Sequence, residues 1–362
     1  MILTFGEIMM RVAPDGFLRF RQSMPGKVDV TFAGGEANVA ASLAMFGNEV
    51  RYLTAIPDHA ISQSMLTVLR GLGVGTDTVL RRDEGRLGIY FLETGANQRS
   101  SNVIYDRDAT AISMAGPGEY DFDATLDGVH WVHVTGITPA ISQNAFEATL
   151  ELVRRAKTAG ASVSCDLNFR KKLWRWQPGT APTQLANACM AQILPFVDVV
   201  IGNEEDAADV LGIHAEGTSV EAGQINAGAY EQVARDIIGQ FPNVRQVAIT
   251  LRESISASHN NWGAMLFDRE ADAAFLAPLD DDGAYKPYEI RDIVDRVGGG
   301  DSFGAGLIHA LNSAEFAAPD MAIRFAVAAS CLKHSIKGDF NYVTLDEVKA
   351  LVGGQASGRV RR

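Results

Sequence analysis

Three cysteines in 362 residues, Cys165, Cys189 and Cys331, are too scattered and too odd in number for a disulfide framework. Their scarcity points to a reducing compartment. Metal-binding patterns are missing as well, since no Cys-x-x-Cys or His-Glu-x-x-His occurs. His130 and His133 leave opposite faces of a strand-like run and cannot converge on one ion. No run approaches the roughly 18 apolar residues of a membrane span. The opening Met-Ile-Leu-Thr-Phe-Gly-Glu enters a strand with no basic leader or cleavage site. Basic charge is in deficit: 32 Lys and Arg stand against 44 Asp and Glu, a net −12. That balance speaks against a nucleic-acid or membrane partner. A soluble, cytoplasmic protein is expected.

What is present suits a large α/β core, with 47% hydrophobic and 21% charged residues. Short apolar runs recur at 2–8, 49–56, 129–135, 162–167, 197–202 and 246–251, each of buried-strand length. Helical patterns fall between them. Over 138–160, Thr138 and Pro139 suit the N-cap and first helical position, Phe146, Leu150 and Val153 share a face, and Gly160 ends the run. Residues 36–47 turn Val39, Leu43 and Phe46 inward and stop at Gly47. This alternation predicts a mainly parallel central sheet with helices on both faces. Ligands in such folds bind beyond the carboxyl ends of the strands. Residues 12–31 and 86–108 read instead as strand pairs forming a small β-sheet, either a lid or a pairing surface. The expected layout is a core of 1–11, 32–85 and 109–352, a lid of 12–31 and 86–108, and a flexible basic tail at 353–362.

Polar candidates gather just after the proposed strands. Residues 295–306 run Asp-Arg-Val-Gly-Gly-Gly-Asp-Ser-Phe-Gly-Ala-Gly. Gly298, Gly299 and Gly300 let backbone amides point into one concavity ahead of a helix start, a site for an anion such as a phosphoryl group in transfer. Asp301 at the rim can take a proton from an attacking hydroxyl; read alone, it suits a helix N-cap equally well. In Ala33-Gly34-Gly35-Glu36-Ala37-Asn38, the glycines permit close approach and the Asn38 amide can bind a sugar hydroxyl or simply cap a turn. Strand alternation places Asp166, Asn168 and Arg170 on one side, where Arg170 can clamp a carboxylate or join a surface ion pair. The acids of Gly202-Asn203-Glu204-Glu205-Asp206 suit Mg²⁺, and suit a first helical turn without any metal.

In order and spacing, Gly-Gly-x-x-Asn, the Asn-Glu-Glu-Asp segment and Gly-Gly-Gly-Asp-Ser-Phe-Gly-Ala-Gly resemble the PfkB-type, ribokinase-like sugar kinases over essentially the whole chain. The resemblance implies a three-layer sandwich with a β-lid that often pairs subunits into a homo-oligomer. It also implies ATP-dependent phosphorylation of a sugar hydroxyl, with Asp301 as base and the amides of Gly298, Gly299 and Gly300 as anion hole. Asn168, Asn203, Thr250, Gly298 and Gly300 would meet the nucleotide, and Glu205 and Asp206 its Mg²⁺. Within the family the likeness is to 2-keto-3-deoxygluconate kinases, through Gly-Glu-Ile-Met-Met-Arg, Tyr90, Tyr105-Asp106-Arg107, Asp-Leu-Asn-Phe-Arg-Lys-Lys-Leu-Trp and Lys337-Gly338-Asp339-Phe340-Asn341. It implies a sugar-acid pocket of Gly34, Gly35, Asn38, Tyr90, Tyr105, Arg107, Arg170 and Asp339. Two departures stand out. Asp206 replaces the usual Glu and is one methylene shorter, and the stretch from Thr250 to Trp262 replaces a compact glycine turn.

Other classes fit less well. A dehydrogenase would need Gly-x-Gly-x-x-Gly after the first strand, where Gly6-Glu7-Ile8-Met9-Met10-Arg11 stands. A Walker-type nucleotide site needs a Lys that the 298–302 turn lacks. A neutral-sugar kinase of fructokinase or ribokinase type is the alternative within the class. A non-catalytic sugar-binding protein on the same fold is the alternative outside it.

Overall fold

A computed structural model describes residues 1–214 and 227–355; residues 356–362 of the expected tail lie outside them. The central sheet runs Val74–Gly75, Val50–Leu53, Ile2–Phe5, Trp131–Thr135, Ser162–Asp166, Val199–Gly202 and Gln246–Ser256, every neighbouring pair parallel. His259–Asp268 and Ala273–Ala277 extend it antiparallel, and Tyr288–Ile290 pairs with the first of these.

Alternation along the strands divides the interior into two cores. Leu3, Phe5, Val132, Val134 and Val163 face one core, and Ile2, Trp131, Val199 and Ile201 the other. The helix Gln143–Thr158 covers the first core, and Gly35–Met45, Gly299–Leu311 and Pro319–Lys333 cover the second. This is the α/β layering that the strand–helix rhythm implies.

A separate four-stranded mixed sheet runs Asp29–Ala33, Met9–Ala13, Gly88–Glu93 and Asn102–Asp106. Its first strand starts at Met9, so the apolar run 2–8 is a strand only as far as Phe5.

The helix expected over 138–160 is two helices. Ile137–Ile141 ends at Ser142, whose backbone is extended and whose hydroxyl caps Gln143–Thr158 by accepting from the Ala145 N–H. A serine cap outcompetes helix continuation at that point, and the Thr138 hydroxyl donates to Glu36 instead of capping. His133 is buried against Ser164, and His130 meets the N-terminal amine on the other side.

Candidate active site

Gly298 caps the helix Gly299–Leu311 in the left-handed region, φ 84°. A Cβ there would stand 2.3 Å from the Asp339 carbonyl oxygen, so conformation and space both demand glycine. Asp301 is therefore the third helical residue, and the N-cap reading of it falls. Among the described residues, the N–H groups of Gly300 and Asp301 have no acceptor, whereas that of Gly299 reaches the Arg296 carbonyl at 3.4 Å. Open amides at a helix start make an anion site.

Asp301 faces the helix Gly35–Met45. Nδ2 of Asn38 donates to Asp301 Oδ2 at 2.7 Å, and Asn38 Oδ1 accepts the Gly34 N–H at 3.3 Å. Both ends of the Asn38 amide are thus fixed within the protein. Gly34 is required by closeness, since a Cβ would meet the Glu7 carbonyl oxygen at 2.0 Å. Burial pushes the Asp301 carboxyl up to about 6, against the Asn38 hydrogen bond that favours its charged form. A carboxyl so placed suits proton transfer near neutral pH. Glu36, fully buried, accepts from Thr135 and Thr138 at 2.7 and 2.8 Å, and burial raises it to about 7.

The small sheet supplies one wall. The Tyr90 hydroxyl donates to Asp339 Oδ1 at 2.7 Å, and buried Arg11 bridges Asp339 and Asp295 at 2.5 Å each. Arg107 is buried in an ion pair with Glu7, its guanidinium beside the Tyr105 ring. Arg170 differs: its side chain is exposed at the cavity, donates to the Phe169 carbonyl, and makes no salt bridge among the described residues.

Strand alternation does not explain the 166–170 segment. The strand ends at Asp166, and Asn168 takes φ 36°, a left-handed turn that aims the segment across the sheet edge. Both Asp206 oxygens are engaged, Oδ1 by the Phe169 N–H at 2.8 Å and Oδ2 by the Asn203 N–H at 3.2 Å. Asn203 returns the bond to the Asp206 N–H at 2.8 Å, closing a capping box. Asp206 thereby braces the turn, and Glu205, exposed on the same first turn, lines the cavity with Asp166. Asp166 is raised well above the usual range by burial and by its neighbours Asp206 and Asp301. Crowded carboxylates of this kind fit Mg²⁺, which keeps its waters and touches few side chains. No group of three or more His, Cys, Asp or Glu side chains is arranged to hold a metal among the described residues.

All seventeen residues singled out from the sequence line one cavity of about 420 Å³. It also holds Glu7, Arg252, Trp262 and Arg296, which sequence reasoning missed. Arg252 follows Thr250 by two on the same strand, so period-two spacing was the available signal. Arg296 reaches Asn260 and the Ser256 carbonyl across a hairpin that local patterns do not reveal.

A parallel α/β sheet with an anion-binding helix start and a poised carboxylate at its carboxyl edge defines a phosphotransferase. The pfkB family carbohydrate kinase pattern matches residues 1–234, and the chain belongs to that family. A 2-dehydro-3-deoxygalactonokinase from Haloferax volcanii is 30% identical over 357 residues, covering 99% of this chain and 98% of its own. The crystal structure of a 2-dehydro-3-deoxygluconokinase from Thermotoga maritima superposes with a TM-score of 0.87 at 40% identity, over 98% of this chain and 99% of that one. A fructokinase from Xylella fastidiosa with bound ATP shares the fold, with a TM-score of 0.73 at 20% identity over 98% and 99% of the two chains. No helix among the described residues is long and apolar enough to cross a membrane.

Proposed function

We propose that this carbohydrate kinase transfers the γ-phosphoryl of ATP to the terminal hydroxyl of a 2-keto-3-deoxy sugar acid, with 2-keto-3-deoxygluconate the favoured acceptor. The observation that carries this reading is one cavity with open amides and Asp301 at one side and Arg170, an exposed guanidinium, at another. A cation in no salt bridge among the described residues suits an acceptor that brings a carboxylate. The 40% identity to a 2-dehydro-3-deoxygluconokinase supports the same substrate class. A second reading, the galactonate epimer, is favoured by the full-length relative from Haloferax volcanii.

In the mechanism, Tyr90 and Asp339 hold the sugar hydroxyls and Arg170 receives the carboxylate. Asp301 orients the terminal hydroxyl and takes its proton as the bond to phosphorus forms. The first-turn amides stabilise charge on the migrating group; one well-aimed donor of this type is worth about 3–4 kcal/mol. Arg252, Arg296, Thr250, Asn168 and Asn203 line the nucleotide side, and Glu205 with Asp166 would hold Mg²⁺, which neutralises phosphate charge when bound. Pairing of subunits through the small sheet completes the proposal, since Val30 and Ile104 stand exposed on it at 53% and 52%. The chemistry, with its ATP donor, belongs in the cytoplasm.

The deciding experiment is an ADP-release assay with Mg²⁺–ATP against the two 2-keto-3-deoxy sugar acids, fructose and ribose, with the product examined by ³¹P NMR. Turnover with a sugar acid and a primary phosphate ester is expected. Preference for fructose or ribose would assign a neutral-sugar kinase, and no sugar-dependent ADP release would assign a binding protein.

A further inference from the structure

Lys333 is the last residue of the helix Pro319–Lys333 and is fully buried, at 0% exposure. A lysine at a helix C-terminus ordinarily reaches into water and favours the dipole there. This one turns inward beneath the anion-binding turn. Its Cε lies 3.3 Å from where a Cβ of Gly298 would stand, and its Nζ donates to the Ile336 carbonyl at 3.2 Å. Neighbours on the same helix end support the same turn. Ser330 Oγ donates to the Gly299 carbonyl at 2.7 Å, and the His334 ring comes 3.1 Å from the Cβ position of Gly299.

The ammonium faces charge from every side. Asp295 precedes the turn, Asp339 comes from the C-terminal loop, Asp301 from the helix behind the turn and Arg11 from the small sheet. His334 adjoins it in sequence, and burial holds that ring neutral, down to about 4. Asp301, for its part, meets Asp339 and Arg170 as well as Lys333, with Asp166 and Glu36 further carboxyl neighbours. Arg11 is already shared by Asp295 and Asp339. Burial pushes the Lys333 ammonium below its usual range, and after Arg170 it is the second cation that favours the charged form of Asp301.

We propose that Lys333 is a positioning residue for phosphoryl transfer, a buried side chain that packs beneath the 298–300 turn and holds its open amides and Asp301 in place. Its side chain does not line the cavity. The inference rests on Asp301 being the base, as proposed above. Removing the cation leaves Asp301 facing Asp339 with less compensation, which favours the protonated, incompetent acid.

The test measures kcat, KM and the pH profile of ADP release for Lys333→Met, Lys333→Gln and Lys333→Arg, with thermal unfolding of each and Asp301→Asn alongside. Gln retains a donor for the Ile336 carbonyl and guards against a Met variant that fails to fold. In Met and Gln, kcat near neutral pH should fall by roughly tenfold or more, with sugar KM little changed. The acid limb of the profile should move up, so that activity partly returns at higher pH, and Arg should restore part of the shift. Folded Met or Gln variants with the wild-type profile and kcat would overturn the proposal, as would a failure of all three variants to fold, which would make Lys333 a stability residue alone. Asp301→Asn separates the two levels: an active Asp301→Asn enzyme removes the base assignment itself, whatever Lys333 does.

Discussion

Asn38 and Asp301 stand 263 positions apart and share one hydrogen bond, Nδ2 to Oδ2 at 2.7 Å. The bond leaves Oδ1 of Asp301 beside Gly35, 3.7 Å from the position a Cβ would take there. One carboxylate oxygen is anchored while the other faces a residue with no side chain, where a hydroxyl has room to approach. Asn38 is thus committed to Asp301 rather than free for a sugar.

Asp301→Asn removes the base and keeps the shape. Turnover should fall by roughly a hundredfold or more with little change in either KM. Asn38→Ala should be milder, about tenfold, the worth of one hydrogen bond to a charged group. It should also move the acid limb of the rate profile upward, because the lost bond favoured the carboxylate. Steady-state kinetics on the two variants checks both; near-normal turnover in Asp301→Asn would sink the assignment.

The wild-type pH profile follows from the same residue. Burial pushes the Asp301 carboxyl up to about 6, so with Asp301 as the proposed base kcat/KM should rise as pH passes through that value and flatten above it. Stability runs the other way. A carboxyl raised in the folded state contributes stability that is present below its unfolded value and lost as pH climbs through the folded one. Glu36 gives the cleaner reading, raised from 4.5 to about 7 at a fully buried position. Glu36→Gln should gain on the wild type between pH 4.5 and 7, by about 3 kcal/mol in all, and hold the gap above that. Thermal unfolding across this range checks it, and a gap that does not grow with pH would contradict the burial argument.

Arg170→Ala should weaken sugar-acid acceptors by around 2–5 kcal/mol, the range for breaking a desolvated charge pair, and neutral sugars hardly at all. Arg170 also favours the charged form of Asp301, so kcat for any acceptor should need a slightly higher pH. Comparing kcat/KM for a sugar acid and for fructose separates the two effects. Equal losses for both would show that Arg170 receives no carboxylate.

Local chemistry made the turn legible: glycines running into an acid and a helix leave few other uses for Gly298–Asp301. Short apolar runs of buried-strand length exposed the strands of the central sheet. What stayed hidden depends on distant partners. Arg11 meets Asp295 and Asp339 across 284 and 328 positions, and no local pattern marks such a pair. Arg107, expected in the sugar-acid pocket, is paired with Glu7 from a hundred positions away. Asp206 looked like a metal ligand until the Phe169 N–H, reached only through the left-handed turn at Asn168, took its oxygen. Lys333 carried no sign of burial, because terminal helical lysines are usually exposed.

Gly300 and Gly298 give a sharper test of the turn than either alone. At Gly298 an alanine must adopt φ 84° and push against the Asp339 carbonyl, so Gly298→Ala should lose stability, roughly 1–2 kcal/mol from the backbone alone, along with turnover. Gly300 is different: it is exposed, helical, and a Cβ there meets nothing within 4 Å. Gly300→Ala should therefore keep or slightly raise the wild-type Tm. Its methyl nevertheless projects beside the open amides where the phosphoryl group would pass. Turnover should drop severalfold or more in a protein that is fully folded, and that dissociation is measurable by pairing thermal unfolding with ADP release. A Gly300→Ala protein with unchanged kcat and KM for ATP would show that no reacting group comes to this turn.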